Sequence, residues 1–252
     1  MLVDSHCHIP LLSESMAMDD IFAEAKEQDI EHMLCVAIDI EGSPEIIELA
    51  KRYDMVSASV GVHPNTELSA PIDEPTFLEL ASDEVVVAIG ETGLDYFRSE
   101  GDLEWQRERF RLHINLAKEL DKPLIIHTRE AKEDTIRILK EEGAEKVGGV
   151  MHCFVEDWET AQAAIDLNFF ISFSGIVTFK NAKDLQAVAK QVPLEHMLIE
   201  TDSPYLAPVP FRGKTNQPAY VRHVANYIAE LKAVDFVEVA KITTNNYYNK
   251  FN

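Results

Sequence analysis

Histidines and carboxylates that close apolar runs are the residues of this chain best suited to chemistry. Asp4-Ser5-His6-Cys7-His8 places two histidines two positions apart. In an extended strand such residues project to the same side, so His6 and His8 converge on one point while Cys7 faces away. Neutral imidazoles suit zinc and several other divalent metals. In Gly90-Glu91-Thr92-Gly93-Leu94-Asp95-Tyr96 a carboxylate follows the run Val85–Ile89, and the flanking glycines permit the tight backbone that presents it. Pro123-Leu124-Ile125-Ile126-His127-Thr128-Arg129 ends a strand in histidine with an arginine two residues on, and Val147–Phe154 repeats the arrangement at His152. Met197-Leu198-Ile199-Glu200-Thr201-Asp202 ends another strand in acids spaced two apart, and Ser203-Pro204 turns the chain out of the sheet. Each motif alone also fits an ordinary core histidine, loop acid or helix cap.

The elements that must carry these residues take turns between strand and helix. Short apolar, β-branched runs recur at Leu2–Asp4, His32–Ala37, Met55–Gly61, Val85–Gly90, Leu124–His127, Val147–His152, Phe169–Phe173 and Met197–Glu200. Between them lie segments with helical spacing, at Met18–Gln28, Leu103–Leu120, Ala161–Leu167, Ala182–Gln191 and Pro218–Lys232, and Asp235–Tyr248 reads as a closing helix. Asp102 can cap the Leu103–Leu120 helix, and Asp121-Lys122-Pro123 ends it. Alternation of this kind predicts an α/β fold, a (β/α)8 TIM barrel; a doubly wound open sheet is the alternative. In a barrel, His6, His8, Glu91, His127, His152 and Asp202 come from the ends of strands one, four, five, six and eight and ring one mouth. Six ligands exceed the need of a tetrahedral zinc. They suit two divalent ions (Mg, Mn or Zn) roughly 3.5–4 Å apart, bridged by Glu91 because each carboxylate oxygen can take a different metal.

Bulk properties bound the reading. The 252 residues, 46% hydrophobic and 27% charged, suit a single domain spanning 1–252. Cys7, Cys35 and Cys153 are widely spaced and odd in number, which fits a reducing compartment. The opening Met1-Leu2-Val3-Asp4-Ser5-His6 has no basic segment before an apolar stretch, and no apolar run approaches the roughly 18 residues of a membrane span. A soluble, cytoplasmic protein is expected. The formal charge of −21 speaks against a broad footprint on duplex nucleic acid, which depends on Lys and Arg neutralising phosphates. A phosphate-bearing substrate stays open, because divalent cations make a site locally positive.

Taken together, these motifs make the chain resemble the TatD-type metal-dependent deoxyribonucleases of the amidohydrolase superfamily. The resemblance runs essentially end to end and includes Gly61-Val62-His63-Pro64 and the Phe211-Arg212-Gly213-Lys214 stretch. It implies that His6, His8, Glu91 and Asp202 hold one ion and Glu91, His127 and His152 the other. It also implies that Asp202 handles a proton during attack, with Glu91 as its catalytic companion, and that His63 lies close to the substrate phosphate. The chain departs from the family pattern at Thr215 and Gln217, where the segment is usually more basic and carries an acid, and at Asn65, where many relatives have histidine. No lysine stands at the strand-five position, which argues against a carbamylated-lysine bridge.

The expected activity is hydroxide attack, supported by two metals, on a phosphodiester, with Arg129 or Arg212 gripping a non-bridging oxygen. The acidic surface favours DNA ends or short oligonucleotides over long duplex, hence 3′-to-5′ exonuclease-like action on single strands. The same centre could open an acyl ester, including an aminoacyl-tRNA ester, or an amide. A non-catalytic binding protein on a barrel scaffold is the reading from another class. No membrane or obligate protein partner is evident.

Overall fold

The computed structural model describes residues 1–251. Eight strands, β1 Leu2–Cys7, β2 Ile30–Cys35, β3 Val56–Val60, β4 Val86–Asp95, β5 Leu124–Arg129, β6 Gly149–Met151, β7 Phe169–Phe173 and β8 Met197–Ile199, form one parallel sheet in sequence order. Among the described residues ten α-helices lie between and after them: α1 Ile9–Ser13, α2 Met18–Glu27, α3 Ser43–Arg52, α4 Glu74–Ala81, α5 Glu104–Leu120, α6 Lys132–Glu141, α7 Trp158–Asp166, α8 Lys183–Gln191, α9 Val221–Lys232 and α10 Phe236–Phe251. Parallel neighbours need crossover connections, and helices packed on the outer face provide them. The sheet curls until its first and last strands meet. A parallel bridge joins Cys7 to Ser203, Ser5 Oγ donates to the Ile199 carbonyl at 3.0 Å, and Thr201 N–H donates to Asp4 Oδ1 at 2.8 Å. The (β/α)8 barrel is therefore the observed fold, and the open-sheet alternative falls away.

Two apolar layers follow from strand alternation. Val3, Leu34, Val36, Ala88, Ile125, Val150 and Leu198 point inward and are capped from below by Tyr247 and Phe251 of α10. Their neighbours in sequence, including Leu2, Cys7, Ile89, Leu94, Ile126, Met151 and Ile199, face outward onto the helices. Both faces of each strand are buried, which is why these segments are continuous in Val, Ile and Leu.

Several boundaries differ from the sequence expectation. Strands β4 and β5 run on to Asp95 and Arg129, carrying their polar ends within the sheet. Helices α1, α3, α4 and α6 were not anticipated by hydrophobic spacing; all have ten residues or fewer, under three turns of periodic signal. Pro218–Tyr220 is a 3-10 turn that precedes α9 rather than part of it. Asp102 accepts from the Glu104 N–H at 3.0 Å, while Asp121, in the left-handed region at φ 52°, ends α5. None of the described helices is long and apolar enough to cross a membrane.

Candidate metal centre

Alternation alone delivers half of the site. From the inward Ile125, His127 and Arg129 follow on the same face of β5, and from Val150, His152 follows at the end of β6. Beyond β8, Glu200 and Asp202 continue the inward side set by Leu198. The remaining ligands need an irregularity. On β1 the pairing register shifts between Asp4 and Cys7, and on β4 between Ile89 and Thr92. Without the shifts, His6 would share the outward side of Leu2 and Asp4, and Glu91 that of Ile89. Local extra residues of this kind re-aim side chains and recur beside active sites. Gly93 lets β4 close against β5 here: with φ at 137°, a Cβ would stand 2.0 Å from the His127 carbonyl oxygen.

The result is a convergent ring of buried donors. His6 Nε2 and His8 Nε2 face each other at 3.3 Å. Both look at the same two acids: His6 Nε2 is 3.4 Å from Glu91 Oε2, and His8 Nε2 is 3.4 Å from Asp202 Oδ1. The other Glu91 oxygen, Oε1, lies 2.9 Å from His127 Nδ1 and 3.0 Å from His152 Nε2. Each oxygen of one carboxylate thus serves a separate pair of histidines. All six expected ligands come together.

Hydrogen bonds behind the ring decide which nitrogen each histidine presents. His8 Nδ1–H donates to the Val36 carbonyl at 2.9 Å, His152 Nδ1–H to Glu200 Oε1 at 3.0 Å, and His127 Nε2–H to Asp95 Oδ2 at 3.1 Å. The opposite nitrogen of each ring then carries a lone pair toward the centre, the arrangement that orients histidine ligands in metal sites. The donor set therefore fits divalent cations held by mixed nitrogen and oxygen ligands. Without a cation, protons take over its electrostatic role. Burial would push the Glu91 carboxyl up, but His152 and His63, with hydrogen bonds from His127 and His152, hold it well below the usual carboxylate range. Burial works against protonation of His152, yet Glu91 and Glu200 raise it well above the ordinary imidazole value. His6 moves the other way, lowered by burial and by the adjoining His152.

Glu200 and Asp95 are the functional positions that sequence reasoning left without a role. Glu200 is fully buried and also accepts from the Cys153 N–H at 2.8 Å, so it fixes both His152 and the loop after it. The available signal was its spacing of two from Asp202 on one strand face. Replacing Glu200 with glutamine is expected to weaken divalent-metal affinity about 10–100-fold, as loss of such supporting partners does elsewhere. A chelator-competition titration measures it, and unchanged affinity contradicts the orienting role.

His63 joins the ring from the loop after β3. Its Nδ1 accepts from the Asn65 N–H at 3.1 Å, so the hydrogen sits on Nε2, which points at Glu91 Oε1 from 3.6 Å. A nitrogen that keeps its proton is a hydrogen-bond donor, and His63 also stands close enough to Glu91 and His127 to form a third cluster of possible metal-binding atoms. Its loop is held from below by His113, whose Nε2 accepts from Val62 N–H at 3.1 Å while its Nδ1–H donates to the Arg109 carbonyl at 2.9 Å. The Val62 bond needs a neutral ring, because a protonated Nε2 cannot accept, and burial pushes His113 down to about 4. The unfolded chain protonates this residue near 6.5, so it binds more protons than the folded chain between those values, and stability falls on acidification through that window. The gap corresponds to roughly 3 kcal/mol at most. NMR should show a His113 ring that does not titrate between about pH 7 and about pH 5, with a lower free energy of urea unfolding at the acid end. A ring titrating at the ordinary histidine value contradicts the assignment.

Arg129 and Arg212, the arginines expected to grip phosphate, lie outside the ring of histidines and acids. Neither makes a hydrogen bond or ion pair with it. Arg129 lies over the Phe97 ring at 3.9 Å and Arg212 over the Phe179 ring at 4.3 Å.

Comparison with known proteins agrees with this geometry. Residues 3–252 match the profile of the family described as TatD related DNase. The chain is 50% identical over 253 residues to the uncharacterized metal-dependent hydrolase YcfH of Escherichia coli K12, covering 99% of this chain and 95% of that one. It is 44% identical to the uncharacterized metal-dependent hydrolase YabD of Bacillus subtilis 168, covering 98% and 97%. Among solved structures, YJJV, a TatD homologue from Escherichia coli K12, superposes with a TM-score of 0.91 at 27% identity, over 100% of this chain and 98% of that one. The chain belongs to the TatD-related DNase family and is, with its relatives, a metal-dependent hydrolase.

Proposed function

We propose that the protein is a deoxyribonuclease that uses two divalent ions to hydrolyse phosphodiesters, removing nucleotides from the 3′ ends of single-stranded DNA. The observation that carries this reading is the shared carboxylate: Glu91 Oε2 beside His6 and His8, and Glu91 Oε1 beside His127 and His152. Divalent ions held there would supply acidified water as nucleophile and would draw charge from a phosphoryl group. The chain's own residues do the rest. His6, His8 and Asp202 hold one side of the centre and His127 and His152 the other. Asp202 faces the His6 and His8 nitrogens with Oδ1 and accepts the proton of the attacking water. His63 presents its Nε2–H to a non-bridging phosphate oxygen, and the barrel wall below, closed by Val3, Ile125 and Leu198, keeps bulk water out.

A phosphate fits the mouth better than a neutral ester because the groups offered there are donors and cations: His63 Nε2–H, Arg129 and Arg212. The test uses single-stranded oligonucleotides labelled at either end, with protein stripped by chelator and then reloaded with Mg, Mn or Zn. Metal-dependent shortening from the 3′ end is expected. Internal cuts alone, or faster turnover of an aminoacyl ester than of any phosphodiester, would overturn the reading.

A further inference from the structure

Strand β5 carries one more inward residue beyond His127. Arg129 stands two positions nearer the open end, roughly 6–7 Å along the same face. Its guanidinium lies 3.9 Å from the centre of the Phe97 ring, and Phe97 is 54% exposed. The Phe97 N–H donates to Asp95 Oδ1 at 3.1 Å, while Asp95 Oδ2 accepts from His127 Nε2. One carboxylate therefore fixes both the backbone that carries Phe97 and the histidine of the metal centre. Round the barrel, on the β7–β8 side, Arg212 over Phe179 repeats the construction, and Thr178 Oγ1 ties the two loops by accepting from the Val209 N–H at 2.9 Å.

Their aromatic partners set these two arginines apart. Acids outnumber bases 44 to 23 in this chain, and Arg107, Arg111, Arg137 and Arg222 are all paired with carboxylates. Among the described residues Arg129 and Arg212 form no ion pair, as is also true of Arg52, Arg98 and Arg109; of these five, Arg129 and Arg212 are the two that stack on phenylalanine at the mouth. A planar cation backed by an aromatic ring has a free face for a flat π system and N–H edges for an anion.

We propose that Phe97 and Arg129 form a stacking platform for the nucleobase next to the phosphodiester under attack, so that the site selects an unpaired strand end. The inference rests on the phosphodiester reading above. A base inside a duplex has both faces covered by neighbours, whereas an unpaired terminal base offers one to the platform. The edge of the same guanidinium then reaches the adjoining phosphate. The Arg212–Phe179 stack offers the same chemistry to the neighbouring nucleotide.

The test compares oligothymidylate with the same oligomer made abasic at its 3′-terminal positions. Wild-type protein is expected to favour the base-bearing oligomer by about tenfold in kcat/KM. Phe97→Ala should collapse that preference to within about twofold, and Phe97→Trp should restore it. Phe97→Leu keeps bulk but not the π face, so it should behave like Phe97→Ala. A wild type indifferent to the missing bases, or a preference retained in Phe97→Leu, overturns the platform. If the metal-loaded wild type cleaves neither oligomer, the deoxyribonuclease reading fails, and fluorescence-anisotropy binding to metal-free protein decides the platform. A base-dependent Kd that Phe97→Ala abolishes then supports it; equal Kd values for the two oligomers overturn it.

Discussion

Replacing Glu91 with glutamine is expected to lower metal-dependent turnover by about 10³-fold or more and to halve the bound metal. The isosteric amide keeps the size of a fully enclosed side chain but removes its charge and one of its two acceptors. Whichever way it turns, its NH2 faces either the His6–His8 pair or the His127–His152 pair, whose lone pairs sit within 2.9 to 4.0 Å of the present oxygens. One half of the centre therefore loses its oxygen donor, and the other keeps only a neutral one. Elemental analysis of purified variant and wild type, beside steady-state rates on a labelled oligonucleotide, checks both statements together. Full metal content in Glu91→Gln would mean that Glu91 is not shared.

The second large effect is expected at Asp202. Asparagine there preserves shape and still offers an oxygen to His8, but it cannot take a proton, and general-base loss costs about 10²–10⁴-fold in kcat. Burial raises the Asp202 carboxyl, but the hydrogen bond from His8 and the charges of His152 and His6 outweigh it, so it stays ionised and ready to accept at neutral pH. Its backbone lies in the left-handed region at φ 57°, a conformation that aspartate tolerates better than most residues and that aims the side chain back at His6 and His8. Single-turnover rates separate this loss from altered binding. A variant slowed less than about tenfold would move the base to another residue.

How much of this was legible in the sequence depends on the strand. On β5 and β6 plain alternation carries the eye from Ile125 to His127 and from Val150 to His152, so those ligands are readable from pattern alone. On β1 and β4 alternation points the wrong way for His6 and Glu91, and a register shift, which leaves no mark in residue type, turns them inward. The H-x-H spacing succeeded at His6 and His8 because Cys7 does face outward, although the bulge lies just before it. The supporting acids were the least legible. Asp95 acts through His127, 32 positions away, and Glu200 through His152, 48 positions away, so their roles exist only once strands four to eight have closed into a ring. The arginines show the same limit: their residue type pointed to phosphate, while their partners Phe97 and Phe179 emerge only from packing.

Anomalous diffraction from crystals soaked in manganese or zinc shows whether Glu91 is shared by two ions. Two peaks roughly 3.5–4 Å apart are expected, one among His6, His8 and Asp202 and one against His127 and His152, with a Glu91 oxygen on each. A single peak that leaves either histidine pair without metal, at saturating concentration, would contradict that sharing.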